Sequence, residues 1–99
     1  MKKISYIRQT ETEDEMGDKI YLCYFITDSE NTDTEQFGIG IDMYTQKYNE
    51  RTGRVRKIIN KIFGTRSEAE QFAELLCRMT VTPTTLEDVV EDSLKAKLA

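Results

Sequence analysis

Histidine and tryptophan are absent from this 99-residue chain, proline occurs once and cysteine only twice. Without histidine there is no side chain whose ordinary pKa lies near neutrality, so Ser-His-Asp triads, histidine metal centres and histidine pH switches are excluded. Cys23 and Cys77 lack CxxC spacing. With no histidine to complete a ligand set, they read as buried thiols of a reducing compartment, and no metal site is expected. No apolar run approaches the roughly 18 residues of a membrane span. The opening MKKISYIRQTE has no apolar stretch of signal-peptide length, so the expected location is the cytoplasm, away from membranes.

What is present is globular in balance, with 38% hydrophobic and 32% charged residues. A chain of this length has room for one domain, residues 1–99. Lys3–Thr10 reads as a first strand, and the acidic stretch Glu11–Asp18 as a turn. In Lys19–Thr27, Ile20, Leu22, Tyr24 and Ile26 alternate with Tyr21, Cys23 and Phe25. A strand apolar on both faces belongs in the middle of a sheet. After the polar loop DSENTDTE, residues 28–35, Phe37, Ile39, Ile41 and Met43 alternate with Gly38, Gly40, Asp42 and Tyr44 to give a half-buried third strand. The glycines thin one face and let a neighbour approach closely.

Residues 46–53 read as a further turn. Residues 54–63, RVRKIINKIF, fit an amphipathic helix through Val55, Ile58, Ile59, Ile62 and Phe63, and also fit a β-branched strand between Gly53 and Gly64. Strand is preferred because it completes a meander with short connections. Thr65 and Glu68 have capping-box spacing, and Ala69, Phe72, Ala73, Leu76 and Met79 follow on one helical stripe, giving a helix over about 66–79. Pro83 at a first helical position, capped by Thr82, starts a second helix over about 83–97, with Leu86, Val89, Val90, Leu94 and Leu98 inward. Lys95 and Lys97 suit its C-terminal end. The expected fold class is α+β: an antiparallel meander of about four strands, residues 3–63, with two C-terminal helices packed on one face.

The segment Val81, Thr82, Pro83, Leu86, Asp88, Val89, Val90, Glu91 and Asp92, together with the preceding helix and the FGIGI strand, resembles a family of short uncharacterised proteins of Clostridia and related Firmicutes. That family ends in a V-T-P-x-x-L-x-D-V-V-E-D-type helix after a strand meander. A histidine often stands there at the position of Thr85, so any role of that histidine is absent here. The resemblance implies the fold and compartment already read from the residues, and no activity.

Three function classes can be weighed. The serines have no histidine base and the cysteines lie in apolar segments, so no enzyme and no cofactor is expected. The carboxylates Glu87, Asp88, Glu91 and Asp92 read as the solvated side of the second helix, with no ligands from elsewhere to cage an ion. Charge is uneven: residues 47–66 hold seven cations against one acid, net +6, whereas residues 11–35 hold nine acids against one lysine, net −8. Arg51, Arg54, Arg56, Lys57, Lys61 and Arg66 are therefore candidate partner contacts, with Tyr44 and Tyr48 beside them as stacking surfaces. They serve either a nucleic acid, or the neutralisation of the chain's own acidic loops or the protection of an exposed sheet edge. The second face of the second strand leaves Tyr21, Cys23 and Phe25 to be covered by a second subunit. The reading that results is a non-catalytic interaction or regulatory module, a homodimer through that face. The alternative is a nucleic-acid-binding accessory protein acting through residues 47–66.

Overall fold

A computed structural model of the chain describes residues 2–29, 37–47 and 50–98, with side chains described for all but 2, 29, 47, 50–53, 61 and 94–98. Four strands, β1 (Lys2–Glu13), β2 (Lys19–Ser29), β3 (Phe37–Lys47) and β4 (Glu50–Phe63), precede two helices, α1 (Arg66–Arg78) and α2 (Leu86–Leu98). The strands pair in chain order as an antiparallel meander. The α+β architecture expected from the sequence is thus the architecture observed, and residues 54–63 are strand. Residues 30–35 of the polar loop, Tyr48 and the side chains of Leu94, Lys95, Lys97 and Leu98 lie outside the described residues.

The strands are longer than the periodicity suggests. Glu11, Thr12 and Glu13 remain in β1 because each has a partner on β2, ending with the opposite-charge pair Glu13 and Lys19. The turn shrinks to residues 14–18, where Asp14 Oδ1 accepts the backbone N–H of Met16 and of Asp18, each at 2.9 Å. Gly17 takes φ 83° there, a conformation open to glycine without a side-chain clash. Residues 46, 47 and 50–53, expected as turn, are strand as well.

One sheet face meets the helices. Leu22, Tyr24, Ile26, Ile39 and Ile41 are buried there against Ala69, Ala73, Leu76, Leu86 and Val90. Alanine at the two central positions of α1 lets the helix backbone come close to the sheet. Each fully buried Leu or Ile is worth about 1.5–3 kcal/mol. In β1 the register shifts between Tyr6 and Arg8, so that Tyr6 lies opposite Phe25 and Arg8 opposite Tyr24. Ile7 packs on the core, and Arg8 reaches Glu74 of α1 at 3.2 Å.

Thr65 caps α1 as its spacing predicts, accepting the Glu68 N–H at 3.2 Å. The helix ends without glycine: Thr80 adopts φ 51°, while Val81 N–H bonds Leu76 C=O and Thr80 N–H bonds Cys77 C=O. These two bonds are those of a Schellman closure. Tyr24 O–H donates to Val81 C=O at 2.8 Å in the interior, tying this corner to the sheet. The start of α2 differs from expectation. Thr82 to Thr85 close a turn through Thr85 N–H and Thr82 C=O, and helical bonding begins with Val89 N–H on Thr85 C=O. Pro83 therefore occupies the second position of a turn, where its fixed φ is equally suited, and α2 begins at Leu86 in place of Pro83.

Candidate functional site

Neither helix covers the second face of the sheet, and the side chains there organise themselves around one carboxylate. In β3 the residues alternating with the core positions are Gly38, Gly40, Asp42 and Tyr44. Asp42 stands opposite Cys23 of β2 and Arg56 of β4. It is 2% exposed, the one buried charged side chain among the described residues. Burial of a carboxylate is costly unless its lone pairs are taken. Four donors take them. Arg56 forks onto it, Nε on Oδ1 at 2.6 Å and an Nη on Oδ2 at 2.9 Å. Tyr6 O–H donates to Oδ2 at 2.8 Å, and an Arg54 Nη donates to the same oxygen at 3.3 Å.

The floor of this cluster is Phe25, whose ring occupies the space a side chain at Gly40 would fill: a Cβ there would lie 2.3 Å from the ring. Tyr6 lies against Phe25 with centroids 5.4 Å apart, and the Arg56 guanidinium sits 5.3 Å from the Phe25 centroid. Farther along the same face, the rings of Tyr21 and Tyr44 lie 6.4 Å apart, and Cys23 Sγ and Tyr44 Oη are 3.2 Å apart. Cys23 and Phe25 are buried within one chain. For Phe25, Gly40 makes the hollow, and Tyr6 and Arg56 close it. Tyr21, the third residue expected at a subunit interface, keeps part of its surface.

Electrostatics and geometry agree. Burial pushes the Asp42 carboxyl up, but the hydrogen bonds from Arg56 and Tyr6 and the charges of Arg56 and Arg54 together hold it below the ordinary carboxylate range. The bond to Asp42 holds the Arg56 proton more tightly. Tyr6 is raised by burial and then by its bond to Asp42. In the helix-side core, burial first and Cys77 second raise Tyr24 strongly.

The basic residues singled out in the sequence are not gathered into one patch. Strand alternation sends Arg54 and Arg56 to the Asp42 face, and Lys57 to the helix side, where it pairs with Glu87 of α2 at 2.5 Å. Arg66 pairs with Glu70 on α1 at 2.7 Å. Arg51 and Lys61 have side chains outside the described residues. Glu87, Asp88, Glu91 and Asp92 are exposed, and among the described residues no group of three or more His, Cys, Asp or Glu is placed to hold a metal. Sequence reasoning passed over Tyr6 and Asp42. The available signal was Asp42 itself, a lone acid on the glycine-bearing face of an apolar strand.

A cleft of about 240 Å³ also lies between α1, α2 and the end of β4, lined by Ile62, Phe63, Phe72, Leu75, Val90 and Ser93. Among these, the Phe63 and Phe72 rings are tilted against each other, centroids 5.3 Å apart.

The model of a family of unknown function, DUF6514, matches residues 1–96. The chain belongs to DUF6514. That membership spans nearly the whole domain, both faces of the sheet and both helices, and carries no assigned activity. No curated protein and no solved structure matched the chain. For this DUF6514 member, function rests on the chemistry of its own surfaces.

Proposed function

We propose that this DUF6514 protein is a small non-catalytic interaction module of the cytoplasm, and that it docks through the sheet face opposite the helices. The observation that carries this reading is the buried Asp42, which holds two arginines and a tyrosine in place at the surface. A buried ion pair contributes little net stability compared with apolar packing, and this one lies on the side away from the main core. Its larger physical effect is to fix Tyr6, Arg54 and Arg56, residue types that dominate binding energy at interfaces. Ordering a long side chain on binding costs about 0.5–1.5 kcal/mol. Side chains already held avoid part of that cost.

The same bonds argue against acid–base chemistry. Asp42 is occupied by four donors, its carboxyl is held low and the Tyr6 hydroxyl is held high, so neither is poised to exchange a proton near neutrality. Cys23 and Cys77 are both free thiols, which suits a reducing compartment.

A second reading, docking of single-stranded nucleic acid on this face, is favoured by Tyr21 and Tyr44 sharing the surface with Arg54 and Arg56. One experiment separates the two. Tagged wild type, Arg54→Glu and a helix-side control, Glu91→Lys, are used to capture proteins with and without nuclease, an untagged copy of the chain being counted among the captured species. Nuclease-resistant capture that Arg54→Glu abolishes and Glu91→Lys retains is the expected result. Equal capture by all three would sink the docking face, and capture abolished by nuclease would establish the nucleic-acid reading instead.

A further inference from the structure

Resting on the docking face proposed above, we infer that its occupant is a second copy of this chain, packed sheet to sheet about a two-fold axis that runs along the strands between β2 and β3. The register carries the inference. Across the sheet, Glu11 of β1 pairs with Tyr21 of β2, and Tyr21 with Tyr44 of β3. Beside Tyr44 the β3–β4 register shifts between Met43, opposite Val55, and Thr45, opposite Thr52, which leaves Arg54 at the end of the same row. Its guanidinium is on this face, since it reaches Asp42. The row therefore reads acid, aromatic, aromatic, base, from one sheet edge to the other.

Rotation by half a turn about an axis along the strands reverses such a row onto itself. Glu11 of each copy then faces Arg54 of the other, twice, and Tyr21 faces Tyr44 beside the axis. An isologous interface has this form, each contact occurring in two symmetric copies. The alternative two-fold, lying across the strands, would stack β4 on β4 and bring cations onto cations. Sheets packed face to face stand about 10 Å apart, a gap that glutamate and arginine side chains span from opposite sides.

Availability and area are consistent with this geometry. Glu11 is exposed, and the Arg54 side chain is 59% exposed while bonded to Asp42 at 3.3 Å, so its exposed side can meet a partner carboxylate without leaving Asp42. The molecule is a slab of 47 × 33 × 17 Å. Its broad face exceeds the roughly 800 Å² per partner of a standard interface. Tyrosine and arginine also suit a surface that must be both wet and adhesive.

The test is sedimentation equilibrium on the full chain, with circular dichroism to verify folding. Wild type is expected to be a dimer that weakens with salt. Glu11→Arg alone sets arginine against arginine and weakens association about tenfold or more, and Arg54→Glu alone sets glutamate against glutamate with the same effect. Mixing the two variants makes both contacts complementary and restores a heterodimer close to wild-type affinity. Should Arg54→Glu fail to fold beside Asp42, Glu11→Arg is read against Arg54→Gln, which loses the attraction without adding repulsion. A monomer at about 1 mM, or a dimer indifferent to Glu11→Arg, overturns the inference. A monomer whose capture of another protein is still abolished by Arg54→Glu leaves the docking face standing without self-association.

Discussion

The Asp42 cluster predicts an asymmetry between its two partners. Asp42 is 2% exposed, whereas the Arg56 and Arg54 side chains are 34% and 59% exposed. In Asp42→Asn the arginines lose an anion but can turn toward water, so the cost is that of hydrogen bonds to charged groups, about 1.5–3 kcal/mol. In Arg56→Met the apolar stem still covers Phe25, but a buried carboxylate loses its bidentate partner and keeps only Tyr6 and Arg54. Stranding a buried charge costs about 3–5 kcal/mol, here near the lower end because Arg54 remains. Urea unfolding followed by circular dichroism at pH 7 measures both. At about 4–8 °C per kcal/mol for a domain of this size, the melting temperatures separate. The Asp42 carboxyl is held below its unfolded value of about 3.9. Its contribution is therefore complete above that pH and is lost as pH falls through the lower folded value. The gap between wild type and Asp42→Asn should accordingly narrow below about pH 4. Asp42→Asn as damaging as Arg56→Met, or a gap unchanged down to pH 2 or so, would refute the reasoning.

Three further outcomes follow from single contacts. Gly40→Ala drives a methyl into the Phe25 ring and should cost about 1–3 kcal/mol in thermal unfolding, with Tyr6 fluorescence altered; an unchanged midpoint would mean that the ring is not seated there. Tyr24→Phe strands the buried Val81 carbonyl at about 1–3 kcal/mol. In wild type the raised Tyr24 hydroxyl contributes stability that is complete below the unfolded value of about 10 and is lost as pH rises through the folded one, so ultraviolet titration should find one tyrosine ionising only with unfolding. Thr80→Gly removes a β-branched side chain from φ 51° and should raise stability by up to about 1 kcal/mol, visible as a higher urea midpoint; a lower midpoint would contradict the strain.

The sequence alone determined the meander, both helices and the side of β3 that enters the core, because these follow from periodicity, capping and connection length. Leu22, Tyr24, Ile26, Ile39 and Ile41 are on the core side, as their alternation requires. The ambiguity over residues 54–63 has a structural cause. Val55 opposite Met43, Ile59 opposite Ile39 and Phe63 opposite Phe37 are spaced by four, a spacing that keeps one face in a strand as it does in a helix; β-branching was the truer signal. Alternation also divides the basic run, with Arg54 and Arg56 on one face and Lys57 on the other, a division invisible to a charge count.

Only tertiary structure decided the chemistry of the open face. Asp42 meets Arg56 because of strand register, and Tyr6 reaches it across β2 from 36 residues away in the chain. Periodicity assigns a residue to a face but not to a neighbour. The fate of Phe25 turned on the same distinction: its face was legible in the sequence, while the hollow at Gly40 and the cover from Tyr6 and Arg56 exist only once four strands have aligned.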